Sequence, residues 1–430
     1  MQGEARMSVL YELLRAVPMP KMARVRQKFP RPKLEVSDIP RKIRETLQAE
    51  GVIDAVRPGM SVALTVGSRG IANIALIVRE IAAVLKERGA QPFIVPAMGS
   101  HGGGVAENQR KIIEDLGVTE NYCGCPIRAT MDTVEIARTA EGLPVVIDRF
   151  AAEAGGIVVI GRVKPHTAFR GEYESGLMKM MAIGLGKRKG ADTCHAMGWK
   201  HMARLIPEFG RLVLANANIL FGVAIVENAF DETCILEAIP KDNIAVREPE
   251  LLARARELMP RIWIERTDVL IVDKIGKNIS GDGMDPNITG TFATPYASGG
   301  LVSQKVAVLD LTDESRGVMV GAGMAHATTE RLFRKADLEA SYLNALTSTV
   351  FDVVRLPMIL KSDRDAIAAC IRACNEIDIN RPRVIRIRDS LHIEYIEVSE
   401  AHLEEAKNHP HLEIVGEPEE MPFDENGNLW

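Results

Sequence analysis

Little in this chain of 430 residues is extreme, and its shortages exclude several functions. Aromatic residues make up only 5%, and 53 basic against 58 acidic side chains leave a net charge of −5. A nucleic-acid surface needs a basic stripe and usually stacking rings, so no nucleic-acid partner is expected. No apolar run approaches the roughly 20 residues that cross a bilayer. Charged residues from Glu4 to Arg26 interrupt the stretch where a secretory leader would place its apolar centre. A cytoplasmic protein with no membrane partner is the expectation. Six cysteines are too sparse for a disulfide framework, so reduced thiols are expected. Cys123-x-Cys125 and Cys370-x-x-x-Cys374 also lack the paired spacing of a structural zinc site. Internal repeats and low-complexity tracts are missing as well.

What remains is an ordinary globular composition, 46% hydrophobic and 26% charged, long enough for two or three domains at roughly 150 residues each. From Val62 the pattern reads strand, glycine turn, helix. It repeats at once from Pro92, and a further apolar strand, Gly156 to Ile160, precedes Lys164-Pro165-His166. Such βα units favour a mostly parallel sheet. A charged helical segment from Glu248 to Leu258 ends at Pro260, and a new apolar strand begins at Asp268. The expected fold is α/β, with two α/β domains of mostly parallel sheets, residues 1–250 and 260–430, and an active-site cleft between them.

In open α/β sheets the loops leaving the carboxyl ends of the strands build the binding site. Arg69, His101 and His166 all fall on such loops. Gly99-Ser100-His101-Gly102-Gly103-Gly104 reads either as a nest of backbone amides for an anion or as a plain glycine turn. It lacks the ending of a nucleoside-triphosphatase loop and the spacing of a dinucleotide fingerprint. An imidazole, however, serves no purpose in a plain turn. Read by themselves, two such histidines with a lysine downstream suggest a metal or phosphate site with an acid/base group.

The ordered set Ser68-Arg69, Gly99-Ser100-His101, Lys164-Pro165-His166, Ser175-Gly176-Leu177-Met178-Lys179 and His195 resembles the nickel-dependent lactate racemase family of 2-hydroxyacid racemases and epimerases. The likeness spans most of the first 230 residues. It implies a nickel-pincer nucleotide, a pyridinium mononucleotide whose metal is held by two sulfurs, a ring carbon and a histidine. By position, Lys179 resembles the covalent tether, His195 the nickel ligand, His101 and His166 the two catalytic bases, and Arg69 the cation that grips the substrate carboxylate. A lysine of the second domain is implied over the substrate, and Lys277 is the candidate, followed by Lys274. The first domain would then carry cofactor and catalytic histidines, and the second would close over the substrate.

The chemistry asks for these residue types. Removing the α-proton of a 2-hydroxyacid would place a second negative charge beside its carboxylate. Hydride removal, with an imidazole taking the hydroxyl proton, leaves a neutral keto group that can receive hydride on its other face. A guanidinium suits the carboxylate, and soft sulfur with one imidazole suits nickel.

The sequence also departs from the family pattern. The loop between His166 and Lys179 is longer and brings in Arg170, Glu172 and Glu174, Val66 stands where a carboxylate is frequent, and Gly102 where a basic residue is. A larger or sugar-derived acid is therefore expected in place of lactate, with Arg170 as a second anion contact. The alternatives are an inactive cofactor- or ligand-binding homologue, or a metal hydrolase ligated by His101, His166 and His195. Expected partners are the small 2-hydroxyacid and the cofactor-synthesis enzymes, with a homo-oligomer left open.

Overall fold

The computed structural model describes residues 8–430. They divide into two compact units, residues 30–259 and a second built from the segment up to Phe29 with Pro260–Trp430. The opening strand, β1 (Met22–Gln27), explains the crossing over. Its Met22, Ala23, Val25 and Gln27 are buried while Arg24 and Arg26 are exposed, and it pairs with strands near the carboxyl end of the chain. The expected first domain, 1–250, is amended accordingly at its start, because the apolar face of β1 belongs to the other core.

The unit of residues 30–259 holds β2 (Ser61–Val66), β3 (Gln91–Pro96), a hairpin β4 (Thr133–Arg138) and β5 (Pro144–Asp148), then β6 (Gly156–Arg162), β7 (Ile219–Glu227) and β8 (Thr233–Pro240). Five of these form a sheet in the order β3-β2-β6-β7-β8, parallel except for the last pair. From Val62 to Val66, β2 is buried at every residue, as expected where helices cover both faces of a parallel sheet. One face packs against Ile39–Gln48 and Ile74–Glu87. The other packs against Met202–Asn216 and Ile244–Leu258.

The second unit adds β9 (Arg266–Ile275), β10 (Val302–Leu311), β11 (Ala327–Thr329), β12 (Met358–Leu360), β13 (Val384–Ile387), β14 (Tyr395–Ser399) and β15 (Leu412–Ile414). With β1 they form an eight-stranded sheet in the order β12-β11-β10-β9-β13-β14-β1-β15. The five strands from β12 to β13 are parallel, and the last three join antiparallel. The carboxyl-terminal tail is docked: Met22 and Glu419 exchange backbone hydrogen bonds of 2.8 and 3.0 Å, and Arg331 stacks 4.5 Å over the ring of Trp430. Among the described residues no helix is long and apolar enough to cross a membrane.

Candidate active site

Strands β3, β2 and β6 are neighbours, so the loops at their carboxyl ends leave one edge of the sheet together. Two of these loops are joined directly, because the hydroxyl of Ser68 hydrogen-bonds Nδ1 of the exposed His101. Arg69, also exposed, is the next residue along the first loop. That loop is anchored further on, where the Ala72 amide donates 2.6 Å to Glu227, which also pairs with Arg162. The His101 loop packs against the chain just beyond Lys179. Gly99 donates to the Gly184 carbonyl at 3.3 Å, and a Cβ at Gly184 would stand 2.8 Å from the Ala97 oxygen, a distance only glycine allows.

A buried polar network underlies this contact. Gln109 is fully buried, and its amide donates to the carbonyls of Gly99 at 2.9 Å and His101 at 3.0 Å. The ammonium of Lys187 reaches the Pro96 carbonyl and the Gln109 side-chain oxygen, and it pairs with Asp148 at 2.9 Å, with both charged side chains fully buried. Burial pushes the Lys187 pKa down and the Asp148 pKa up, and each partner's charge opposes that drift in the other.

His166 lies at the start of a loop pinched shut by a two-way backbone pairing of Lys164 with Ser175. The Glu174 carboxylate, with none of its side chain exposed, accepts from the His166 amide at 2.6 Å, the Gly171 amide at 3.3 Å, and Arg256 at 2.6 Å. Arg170 donates to the His166 carbonyl at 2.6 Å and pairs with Glu174 at 3.4 Å. The residue expected as a second anion contact thus spends these bonds within its own loop, on one backbone carbonyl and one carboxylate. The His166 ring is buried against Phe169, with centroids 4.5 Å apart, and Trp199 at 5.6 Å. Burial first, then the positive charges of Lys179, His195, Lys164 and Arg170, hold His166 well below the usual imidazole range, so the ring is neutral at pH 7.

Lys179 ends the short helix Leu177–Lys179 and is half-buried. A π-helical turn, Met180–Gly184, follows it and leads to the helix Lys187–Ala196 that carries His195. The wider π turn, often found at functional sites, sets the phase between lysine and histidine. Trp199 stacks on His195 at 5.5 Å and so touches both imidazoles. Glu248 closes the other end of the lysine helix. Its carboxylate accepts from the Met178 amide at 2.9 Å, and burial raises its pKa to about 7. In the second unit, Lys277 follows β9 and donates to the Gly281 carbonyl at 2.6 Å and to Asn344 at 3.0 Å. Lys274 instead lies 5.9 Å from the ring centre of Trp430.

Arg69, His101, His166, Lys179 and His195 therefore belong to one unit, and the charges of Lys179 and His195 are felt at His166. Ser68, as a partner of His101, and Gln109, Glu174, Trp199 and Glu248, as supports, were not identified as such from sequence. Only Trp199 carried a usable signal there, an aromatic ring one helical turn beyond His195.

Among the described residues no three His, Cys, Asp or Glu side chains converge to hold an ion. A nickel supplied with its own sulfur and carbon donors asks the protein for one imidazole and one amine. His195 and Lys179, both near His166, provide that set, and the residues fit the group.

Parallel strands feeding histidine- and glycine-bearing loops to one edge define an α/β protein with a polar site at the carboxyl ends of its strands. Residues 16–205 match the family model described as the lactate racemase N-terminal domain. That span contains Arg69, His101, His166, Arg170, Lys179 and His195, but not Lys277. By this match the first part of the chain is similar to the N-terminal domain of lactate racemases. The fold is similar to the structure of the lactate racemase apoprotein from Thermoanaerobacterium thermosaccharolyticum, with a TM-score of 0.51 at 12% identity over 85% of this chain and 98% of that one. No curated protein matches the sequence.

Proposed function

We propose that the protein is an isomerase, a racemase or epimerase of a 2-hydroxyacid, working with a nickel-pincer nucleotide tethered to Lys179 and ligated by His195. The observation that carries this reading is the packing of the His101 loop against the turn that follows Lys179, with Lys179 and His195 at the buried His166. When bound, the nucleotide supplies an acceptor that takes the substrate's hydride and gives it back to the other face of the keto acid. The protein's own side chains do the rest. Arg69 offers a planar fork for the carboxylate. His101, oriented by Ser68, takes the hydroxyl proton, and the two imidazoles together manage the charge on that oxygen. Phe169 and Trp199 cover His166 with apolar surface that keeps water off the reacting oxygen.

A larger or more hydroxylated acid, of the sugar-acid kind, remains the preferred substrate over lactate. Its support is the departure of the sequence from the family pattern, with Val66 where a carboxylate is frequent and Gly102 where a basic residue is. The proposed partners are that acid and the enzymes that synthesise the cofactor. Intact-protein mass spectrometry after expression with those enzymes and nickel tests the reading. An adduct that disappears in Lys179→Ala, together with inversion of at least one acid in a panel from lactate to sugar acids, is the expected result. An active, unmodified protein, or turnover of lactate alone, would overturn the corresponding part.

A further inference from the structure

A histidine ring bonds a metal or a proton through its nitrogens, in the plane of the ring. A partner that restrains the ring from its face therefore fixes the direction of those bonds without competing for the nitrogens. Trp199 is such a partner for two histidines at once. Its indole stacks on His195 with centroids 5.5 Å and planes 26° apart, and it meets His166 at 5.6 Å and 42°. Both distances lie in the range where aromatic pairs attract beyond their buried area. Phe169, 4.5 Å from His166 and 6.3 Å from Trp199, joins the group, and the Ala168 amide, donating to Nδ1 at 3.0 Å, shares in holding the His166 ring.

The local backbone delivers the indole to this place. At the end of the helix Lys187–Ala196 the Gly198 amide donates to the His195 carbonyl at 2.8 Å, and Gly198 takes φ +84°, in the left-handed region that favours glycine, so that Trp199 folds back over His195. The indole also packs against the core of the same unit, so swinging it away from the imidazoles would uncover apolar surface. The backbone of His166 is fixed by Glu174 and Arg170, and that of His195 by its helix. What the indole adds is the tilt of each ring.

We infer that Trp199 is a positioning residue shared by the nickel ligand and one of the two bases, setting the plane of His195 toward the metal and that of His166 toward the substrate oxygen. The roles of the two histidines rest on the 2-hydroxyacid reading above, while the stack itself does not. A shared support suits that reading, because hydride and proton leave adjacent atoms of one substrate and the groups that handle them must keep their spacing.

Two measurements test the inference, each comparing Trp199→Phe, which keeps a flat aromatic face, with Trp199→Leu, which keeps apolar bulk without one. In the full-length protein without cofactor, labelled with ¹³C-histidine, the ring C–H signals of His166 and His195 are identified by their loss in His166→Gln and His195→Gln. An indole in contact displaces these signals by its ring current. Both sets should move in Trp199→Leu and by less in Trp199→Phe, which serves alone should the leucine variant not fold. Movement at one histidine only, or at neither, overturns the shared support. In protein loaded with cofactor and nickel, intact mass and metal content are followed in the presence of a chelator. Trp199→Leu should keep the Lys179 adduct yet release nickel about tenfold faster than the parent, with Trp199→Phe close to the parent. Equal release from the two variants would reject the positioning role. If the parent carries no adduct on Lys179, the functional reading fails while the spectra still decide whether one indole holds both rings.

Discussion

Glu248 illustrates how a single residue outside the reacting groups bears on the site. Its carboxylate is almost wholly buried, caps the helix that presents Lys179, and has its pKa raised from 4.5 to about 7. The unfolded chain releases this proton near 4.5 and the folded chain near 7. The folded state therefore binds more protons in between, and its stability falls as pH rises across that window. At about 1.4 kcal/mol per pH unit the loss amounts to about 3 kcal/mol. Glu248→Gln keeps an oxygen for the Met178 amide and removes the titration. Relative to the parent, it should gain about 3 kcal/mol between pH 4.5 and 7.5 in urea denaturation, and a constant difference across that range would refute the assignment. Arg69, His101 and His166 could be picked out as candidates because guanidinium and imidazole stand out on loops after strands, whereas Lys179 and His195 took their proposed roles from the resemblance to a family. Glu248 and Glu174 were not legible in the sequence, since a carboxylate's burial and its partners, 70 residues away for Met178 and Glu248, are facts of three-dimensional packing.

At the scale of elements, the parallel strands could be read because both of their faces are covered, which writes near-continuous apolar runs. The strands β2, β3, β6, β9, β10 and β13 fall where those runs are. The π turn after Lys179 had no such signature, because one extra residue per turn is invisible to a period-3.6 reading. Nor did sequence reveal that three elements, the end of β3, the end of β5 and the helix Lys187–Ala196, meet at the Lys187 ammonium, which pairs with Asp148 and donates to the Pro96 carbonyl. Removing one member of a fully buried pair strands the other charge, at a cost of about 3 to 5 kcal/mol. Lys187→Met should therefore unfold at markedly lower denaturant than the parent. Adding Asp148→Asn, which keeps an oxygen for the Ala151 amide now bound at 3.0 Å, should restore most of the loss. A double variant no better than Lys187→Met would mean that the ammonium's bonds to Pro96 and Gln109, and not its charge pairing, hold these elements.

For the molecule as a whole, the instructive feature is that the second unit is discontinuous in sequence. A reading by chain position assigned the first 29 residues to the neighbouring unit, although the alternation of Met22, Ala23, Val25 and Gln27 with two arginines already marked a strand. What sequence could not supply was the partner, since β1 pairs with β14 more than 360 residues away, Met22 facing Ser399. The consequence is an asymmetry in how the two units fold. Residues 30–259 contain both cores that flank their sheet. Residues 260–430 lack the strand that lies between β14 and β15, and β15 has no other strand to pair with. They also lose Gln27, whose side chain accepts from the Trp263 amide at 2.9 Å and donates to the Ile393 carbonyl at 2.7 Å, and the fully buried Ala23 and Val25. Losing the burial of a valine side chain alone forfeits about 1.5 to 3 kcal/mol, and the open edge of β14 exposes unpaired backbone groups that invite aggregation. A fragment of residues 30–259 should therefore unfold cooperatively in urea, whereas 260–430 should not until a chain carrying residues 8–29 is joined to it. Joining that segment to the carboxyl terminus through a flexible linker would test whether pairing, independent of chain order, is what completes the sheet. Cooperative unfolding of 260–430 alone would show that β1 is an accessory to a sheet already stable without it.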